Sequence, residues 1–590
     1  MREVFLPIKW RSLIAVSLSA LAVGVCVIFA DQAVAAGWLR YYGYYFTWVS
    51  SIGLLALLGV AVLQGDLSRS NFTWLINRSG LTACALGCAF IFLQADFGYK
   101  IVMDEYLLAS TAENLHRSGE VVVTPAQIQD PAGNELVPLQ QFTDKRPWFY
   151  PFLVSVLHDL LGFREVNSFL LNGCIGVALV ITVGYFGNGL WAGAGAWLAI
   201  LLMASLPLVA QNATGGGMEL LNLWLLILLM VMAATYLEQP TRAKEGLLCL
   251  VAVLLAYTRY ESTLFIFPTA VVVIRGWFRR GRSLLSVATL LTPLLLIAAG
   301  WQVIGYMGAS SGWELTRDAT KPFATEHFFS NLPHALNFLT TVDGSLANSP
   351  LLALCGLVAL VAAPMLIRHN RVRFIENPFW LSTLIFAPFI MLQFSFMLGF
   401  HASRLDSPFV SRYALPFCWL LVLSTIILGY HLVARHPARA RALILLVGLY
   451  GFAYTIPTNA KAIFTQRNFA VNEQEWLMLL AEEELPAGTL WIDSVTLQHV
   501  LAGRAVITPN RATANREWLQ AQLKDGVYPA VMRVERLVLN GRDFESTGAA
   551  TFDVGGGMEF ERFKERSFRP FTLTRVHITR PARDQKMNRE

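Results

Sequence analysis

Charge is scarce in this sequence. Of 590 residues only 15% are Asp, Glu, Lys or Arg, while 55% are apolar and the mean hydropathy is +0.50, a balance outside the range of ordinary water-soluble domains. Several signatures are also missing. There is no P-loop and no GxGxxG, and Gly555-Gly-Gly557 reads as a turn rather than a phosphate fingerprint. No HxH or HxxxH spacing marks a metal site, so His158, His327 and His401 read as surface or packing residues. The seven cysteines (Cys26, Cys84, Cys88, Cys174, Cys249, Cys355, Cys418) lie in apolar runs without a CxxC pair, which points to neither a disulfide framework nor a thiolate metal site. The net charge of +6 comes from Lys and Arg clustered between apolar runs. That is the pattern of membrane anchors, and it argues against a nucleic-acid surface.

Long apolar runs are what the chain has in abundance. A helix needs roughly 20 apolar residues to cross a bilayer, and runs of that kind fall at 12–30, 44–64, 79–95, 166–186, 189–208, 217–237, 283–305, 349–368, 377–400, 412–433 and 440–457. A further run, Gly246 to Ile274, is interrupted by Thr258-Arg-Tyr-Glu-Ser262. Counted as two, it brings the total to about thirteen spans. The first run follows Arg2, Lys9 and Arg11 and resembles a signal peptide, but the many spans behind it favour an uncleaved helix. Arg69 and Arg78, Arg242 and Lys244, Arg275 to Arg282, Arg368 to Arg373, and Arg435 to Arg441 all fall on one side, which the bias of basic residues assigns to the cytoplasm together with the N-terminus. The loops 96–148 and 306–350, and the segment after residue 457, then face outward.

Polar chemistry converges on that outward side. Asp104 and Glu105 follow the third span directly, and a carboxylate pair just outside the membrane core is a candidate active site. Thr143-Asp-Lys-Arg-Pro-Trp-Phe-Tyr-Pro151 comes next. After it, Phe152, Leu153, Val156, Leu157, Leu160 and Leu161 recur at helical spacing with His158 and Asp159 opposite, as in a helix lying in the interface. Arg259 and Glu261 break a membrane run, and ionisable groups at that depth are functional by default. The 306–350 loop, with Trp313, Glu314, Arg317, Asp318 and Lys321, is long enough to act as a lid or acceptor platform. Beyond 457 the composition becomes mixed and charged, and alternating helix and strand patterns predict a small extracytoplasmic α/β domain over 458–590, ending in a basic tail from Arg580.

The order of these features resembles the GT-C superfamily of membrane glycosyltransferases, in particular the branch of protein O-mannosyltransferases and the aminoarabinose transferase of lipid A. An outer loop with Asp-Glu, a basic-Pro-aromatic motif, an amphipathic segment ending in Gly162, Gly217-Met-Glu219 opening a span, Thr258-Arg-Tyr-Glu261 and Ser411-Arg-Tyr-Ala-Leu-Pro416 occur in that succession. Tyr260 stands where the relatives usually have Pro, and two extra spans precede the Asp-Glu loop. The resemblance implies transfer of a sugar from a polyprenyl-phosphate donor to a lipid, glycan or protein acceptor at the outer face of a bacterial plasma membrane. It implies Asp104 as general base or acceptor-orienting group with Glu105 as its neighbour, and the two can exchange roles. Arg146, with Lys145, Arg259 and Arg412, would hold the donor phosphate, since a guanidinium fork matches phosphate oxygens. Glu219, Glu261, Trp313, Glu314 and His401 would orient sugar or acceptor. A divalent metal on the carboxylate pair, used by some relatives, is a further expectation. The rival class is a transporter or flippase of lipid-linked sugars, because a broken, charged helix also marks transporters; an internal two-fold repeat, which would favour it, is not visible in the sequence.

Overall fold

The computed structural model describes residues 8–28, 31–66, 73–130, 135–307, 321–458, 469–540, 543–546, 560–568 and 572–579. The chain divides into two compact units, one made of Met1–Lys100, Gly119–Val121 and Lys145–Thr465, the other of Ile101–Ser118, Val122–Asp144 and Gln466–Glu590.

The first unit is helical and turns apolar side chains outward. Leu55 on the helix Gln32–Leu63, Phe278 on Ile266–Arg280 and Val361 on Pro350–Val361 are all exposed, an arrangement that water penalises and hydrocarbon does not. Among the described residues eight helices are long and apolar enough to cross a membrane, or nine with the bent pair Pro350–Val361 and Ala363–His369 taken as one span. The chain is a polytopic helical membrane protein.

The expected count of about thirteen exceeds this figure because several runs form shorter or merged helices. Leu13–Cys26 and Arg78–Phe92 are apolar but short, and the broken run supplies Arg242–Ala256 of only 15 residues. Conversely, Val166–Ala204 is one continuous stretch of 39 residues, about 58 Å if straight and about twice the hydrocarbon thickness. It is not straight. Trp191 (φ −146°, ψ 46°) and Ala192 (φ 44°, ψ −150°) leave helical geometry, and a Cβ on Gly187 would meet the Gly195 carbonyl at 2.4 Å and Ala199 Cβ at 2.7 Å. The stretch therefore doubles back, and two glycines let its halves touch.

The segment expected to lie in the interface is the helix Phe149–Leu161. Pro151, Val154, Ser155 and His158 are buried, and His158 Nδ1 lies 2.8 Å from Asn167 Nδ2, whereas Leu160 and Leu161 are exposed. The stripe is divided, Phe152 packing inward while Leu160 and Leu161 face out beside the exposed Asp159, and His158 is a satisfied core residue. The 306–350 loop likewise carries structure, a helix over Thr325–Thr340.

The second unit is built on an eight-stranded sheet. β1 (Val122–Gln129) and β2 (Leu136–Thr143) form an antiparallel pair; β3 (Leu490–Ile492) runs parallel to β4 (Val506–Ile507) and β5 (Val531–Asn540); β6 (Asp543–Ser546), β7 (Glu561–Arg566) and β8 (Thr572–Thr579) complete it. The order is β2-β1-β4-β3-β5-β8-β7, with β6 on β5. The α/β domain expected over 458–590 thus incorporates two pieces of the 96–148 loop. β3 and β4 have three and two residues, and so short a pair needs neighbours. Gln127 of β1 pairs with Val506, and its side chain donates to the carbonyls of Val500 (3.1 Å) and Arg504 (3.0 Å). Leu490 and Ile492 pack on one face of the sheet with Leu519 and Tyr528, Trp491 on the other with Leu477 and Met532, so both faces are covered.

A charged cluster is buried in this unit. Asp493 accepts from Arg536 Nη1 at 2.5 Å, Arg536 Nε reaches Glu473 at 2.9 Å, and His499 Nε2 lies 3.3 Å from Asp493 with its ring stacked on Trp491 at 4.4 Å. Burial pulls the His499 imidazole below the usual histidine range despite its carboxylate neighbour. Burial alone would raise Asp493, but Arg536 and His499 outweigh it and hold the carboxyl well below the usual range.

Two predictions follow from these packings. Gly187→Ala should cost about 1–3 kcal/mol by overpacking the hairpin, while Gly193→Ala, with nothing within 4 Å of its added Cβ, should change stability by less than about 0.5 kcal/mol; equal unfolding midpoints in detergent would contradict the hairpin contact. As for pH, both His499 and Asp493 bind protons more weakly folded than unfolded, so the unfolded chain gains protons first on acidification and stability must fall. The His499 contribution begins to go as pH drops below about 6.5 and that of Asp493 below about 4. Unfolding of this unit should therefore come at lower temperature at pH about 5 than at pH about 7, and His499→Gln should flatten that slope. A midpoint that rises on acidification contradicts the cluster's electrostatics.

Candidate active site

The break in the membrane run sets the site. Helix Arg242–Ala256 stops at Tyr257, Arg259 adopts extended backbone (φ −154°, ψ 149°), and a 3-10 turn over Tyr260–Phe265 leads into Ile266–Arg280. Asn222, one turn into the helix Glu219–Glu238, fixes this geometry. Its side-chain carbonyl accepts from Thr258 Oγ1 at 2.8 Å and Ser262 Oγ at 2.5 Å. Both hydroxyls flanking Arg259-Tyr-Glu261 are thereby tied to the neighbouring helix.

Around the break the structure gathers four of the expected residues. Glu219 Oε1 accepts from Arg259 Nη1 at 3.0 Å and forms an ion pair with Arg412 Nη1 at 3.2 Å, and Arg259 Nε donates to Glu261. Arg412 comes from the 3-10 turn Ser411–Ala414 that opens the helix Leu415–Val433. The Tyr413 ring centroid lies 4.7 Å from the Arg259 guanidinium carbon and 5.4 Å from that of Arg412, close enough for cation–π attraction. Glu219, Arg259 and Arg412 are all buried. Two cations against two carboxylates leave the cluster formally neutral, which is what makes burial of such groups tolerable. The second Glu219 oxygen has no hydrogen-bond partner among the described residues, and a Cβ on Gly217 would come within 2.6 Å of it, so glycine alone leaves that oxygen room.

Beside the cluster lies a cavity of about 470 Å³. Arg259 and Glu261 give it a charged wall with Gln393 and Tyr413 as polar neighbours, while Leu264, Phe267, Phe396 and Met397 are part of a mostly apolar remainder. Phe323 and Phe400, also in its lining, are joined by a short antiparallel bridge in which Ala324 N donates to Gly399 O (3.0 Å) and His401 N to Pro322 O (2.9 Å). Asn331 reinforces it by donating to the carbonyls of Leu398 (3.0 Å) and Phe400 (2.8 Å). The chain that returns from the 306–350 loop is thus pinned to the cavity wall, and His401 enters through its backbone.

The other expected residues are distributed differently. Asp104 and Glu105 occupy the first turn of Val102–Ser118, in the second unit. Glu105 is buried, and its carboxylate accepts the Ile101 N–H at 2.6 Å, so it caps that helix. Asp104 is half-buried. Lys145 and Arg146 precede Trp148, whose indole donates to Thr47 Oγ1 (2.7 Å) and Gly43 O (3.0 Å) and packs on Tyr257 at 4.9 Å, while Gln302 holds the Lys145 carbonyl at 2.8 Å. Neither basic residue lines the cavity. Trp313 and Glu314 lie outside the described residues. Among the described residues no group of three or more His, Cys, Asp and Glu could hold a metal ion. The sequence reading missed Asn222, Tyr413 and Gln393. Of these only Tyr413 carried a signal, its place between Arg412 and Ala-Leu-Pro416.

Fold and site define a polytopic membrane protein with a buried arginine–glutamate cluster at the wall of a largely apolar cavity. No protein-family model matches the chain, and no curated protein does. Among solved structures, ArnT from Cupriavidus metallidurans in the apo state is similar at 12% identity over 84% of this chain and 97% of that one, with a TM-score of 0.49. The same protein bound to undecaprenyl phosphate is similar at 11% identity over 86% and 98%, also at 0.49. Below a TM-score of 0.5 these likenesses add nothing to the geometry described above.

Removing the shared carboxylate should be costly. Glu219→Ala leaves two buried guanidinium groups against one remaining carboxylate and should destabilise the membrane unit by about 3–5 kcal/mol. Equilibrium unfolding in mixed detergent micelles measures this, and a loss below about 1 kcal/mol would mean that the cluster is hydrated rather than buried.

Proposed function

We propose that this chain is a glycosyltransferase of the GT-C kind, which moves a sugar from a polyprenyl-phosphate donor to an acceptor at the outer face of a bacterial plasma membrane. The observation that carries the proposal is Arg259, a buried guanidinium that opens, beside Glu261, onto a largely apolar cavity within the membrane unit. An amphiphile with an anionic head and a hydrocarbon tail matches that lining. Arg259 offers five N–H donors, of which Nε and one on Nη1 serve Glu261 and Glu219; the others are available to phosphate oxygens.

The chemistry uses these groups in a definite order. An acceptor hydroxyl oxygen attacks the anomeric carbon, its proton passes to a carboxylate base, and the carbon–oxygen bond to phosphate breaks, releasing polyprenyl phosphate with an extra negative charge. Arg259, held in place by Glu219 and Glu261, meets that charge without reorganising. Attack opposite the leaving group inverts the anomeric centre. The sequence resemblance offers Asp104 for the base, and Glu105 is the weaker choice because its carboxylate already accepts the Ile101 N–H. The acceptor is a lipid, a glycan or a protein.

Sugar transfer from a panel of polyprenyl-phosphate sugars by the purified, reconstituted protein tests this reading. Arg259→Lys keeps the charge but loses the planar fork, and should lower transfer by about tenfold to a hundredfold. Asp104→Asn should lower it by at least about a hundredfold. Wild-type protein that flips lipid-linked sugars and transfers none would replace the enzyme by a transporter.

A further inference from the structure

One polar side chain in the cavity has no role in the cluster. Gln393 sits on the helix Pro378–Leu398, is only 3% exposed, and lines both the large cavity and the small space among Glu219, Asn222, Arg259 and Arg412. Its amide oxygen finds no hydrogen-bond partner among the described residues. A buried amide left unsatisfied in a membrane helix is a standing cost, and such polar groups mark ligand paths. Among the described residues, other buried amides of this unit, at Gln94, Gln211 and Gln302, also carry an unpartnered oxygen, but none of them lines the large cavity; Gln393 does.

We propose that Gln393 reads the sugar at its junction with the donor phosphate, one end of the amide accepting from a sugar hydroxyl or amine and the other donating to a phosphate or ring oxygen. The inference rests on the lipid-phosphate reading of the cavity and deepens it. The chemistry selects this partner. Phosphate oxygens only accept at neutral pH, and Arg259 already supplies donors for them, so a carbonyl oxygen in the same cavity requires a donor. A glycosyl headgroup provides hydroxyl donors and a bare phosphate provides none. Gln393 is thus a specificity residue that separates loaded carrier from spent carrier, which favours release of polyprenyl phosphate after transfer.

The test compares binding of undecaprenyl phosphate with binding of its mannosyl, glucosyl and 4-amino-4-deoxyarabinosyl derivatives to the full-length protein in nanodiscs, wild type beside Gln393→Met. Methionine keeps the length and removes both hydrogen-bonding ends. Wild type should bind at least one glycosyl lipid more tightly than the bare phosphate, and Gln393→Met should lose about tenfold for that lipid, the worth of one good hydrogen bond, while its affinity for the bare phosphate changes less than about threefold. Its thermal midpoint should hold or rise, because an unsatisfied amide has been replaced by an apolar chain. An unchanged preference in Gln393→Met, a wild type that does not prefer any glycosyl lipid, or an equal loss for bare and loaded carriers each overturns the role of Gln393 and leaves the lipid-phosphate site standing. A wild type that binds no lipid phosphate at all overturns that site as well.

Discussion

The Glu219 carboxylate is shared by two buried arginines, and the membrane unit's chemistry depends on that sharing. Arg259 and Arg412 come from elements far apart in the chain, a helix break and the turn before a late span. Two guanidinium groups at that proximity would repel in a low dielectric. One carboxylate oxygen that pairs with both, with Glu261 as the second counter-ion, converts repulsion into a neutral knot. The cost is a helix that cannot run through. Asn222 meets that cost by binding the hydroxyls on either side of the gap, and the gap is what lets Arg259 line the cavity.

How much of this was legible in the sequence follows from how local the causes are. Span positions depend on hydrocarbon thickness and could be read residue by residue; Pro378–Leu398 and Leu415–Val433 fall close to the runs 377–400 and 412–433. The breaking of the run at Thr258 to Ser262 was legible because charge and hydroxyls cannot be left in lipid. Orientation of a helix was harder. On Phe149–Leu161 the period was readable but the packed side was not, because Phe152 and His158 turn inward together while Asp159, Leu160 and Leu161 face out. Least legible was the sheet. β1 finds part of its partnership 373 residues away at Val500, and two- and three-residue strands carry too little pattern to announce a missing neighbour.

The site divides in the same manner. Charged residues in apolar surroundings declared themselves, so Glu219, Arg259, Glu261 and Arg412 could be named from composition and order. Asn222 and Gln393 did not, because a single amide in a helix becomes informative only when its partners, or their absence, are known. Asp104 and Glu105 looked equivalent as neighbours in sequence. On a helix they are about 100° apart, and that rotation turns one carboxylate onto the backbone N–H of Ile101 and leaves the other half-buried.

The most direct measurement is an experimental structure of the protein with undecaprenyl phosphate bound. The account predicts the phosphate within hydrogen-bond reach of the Arg259 guanidinium, with the prenyl chain along Phe267 and Phe396 and the Glu219 bridge to Arg412 intact. Lipid phosphate bound elsewhere, with Arg259 still held only by Glu219 and Glu261, would contradict it.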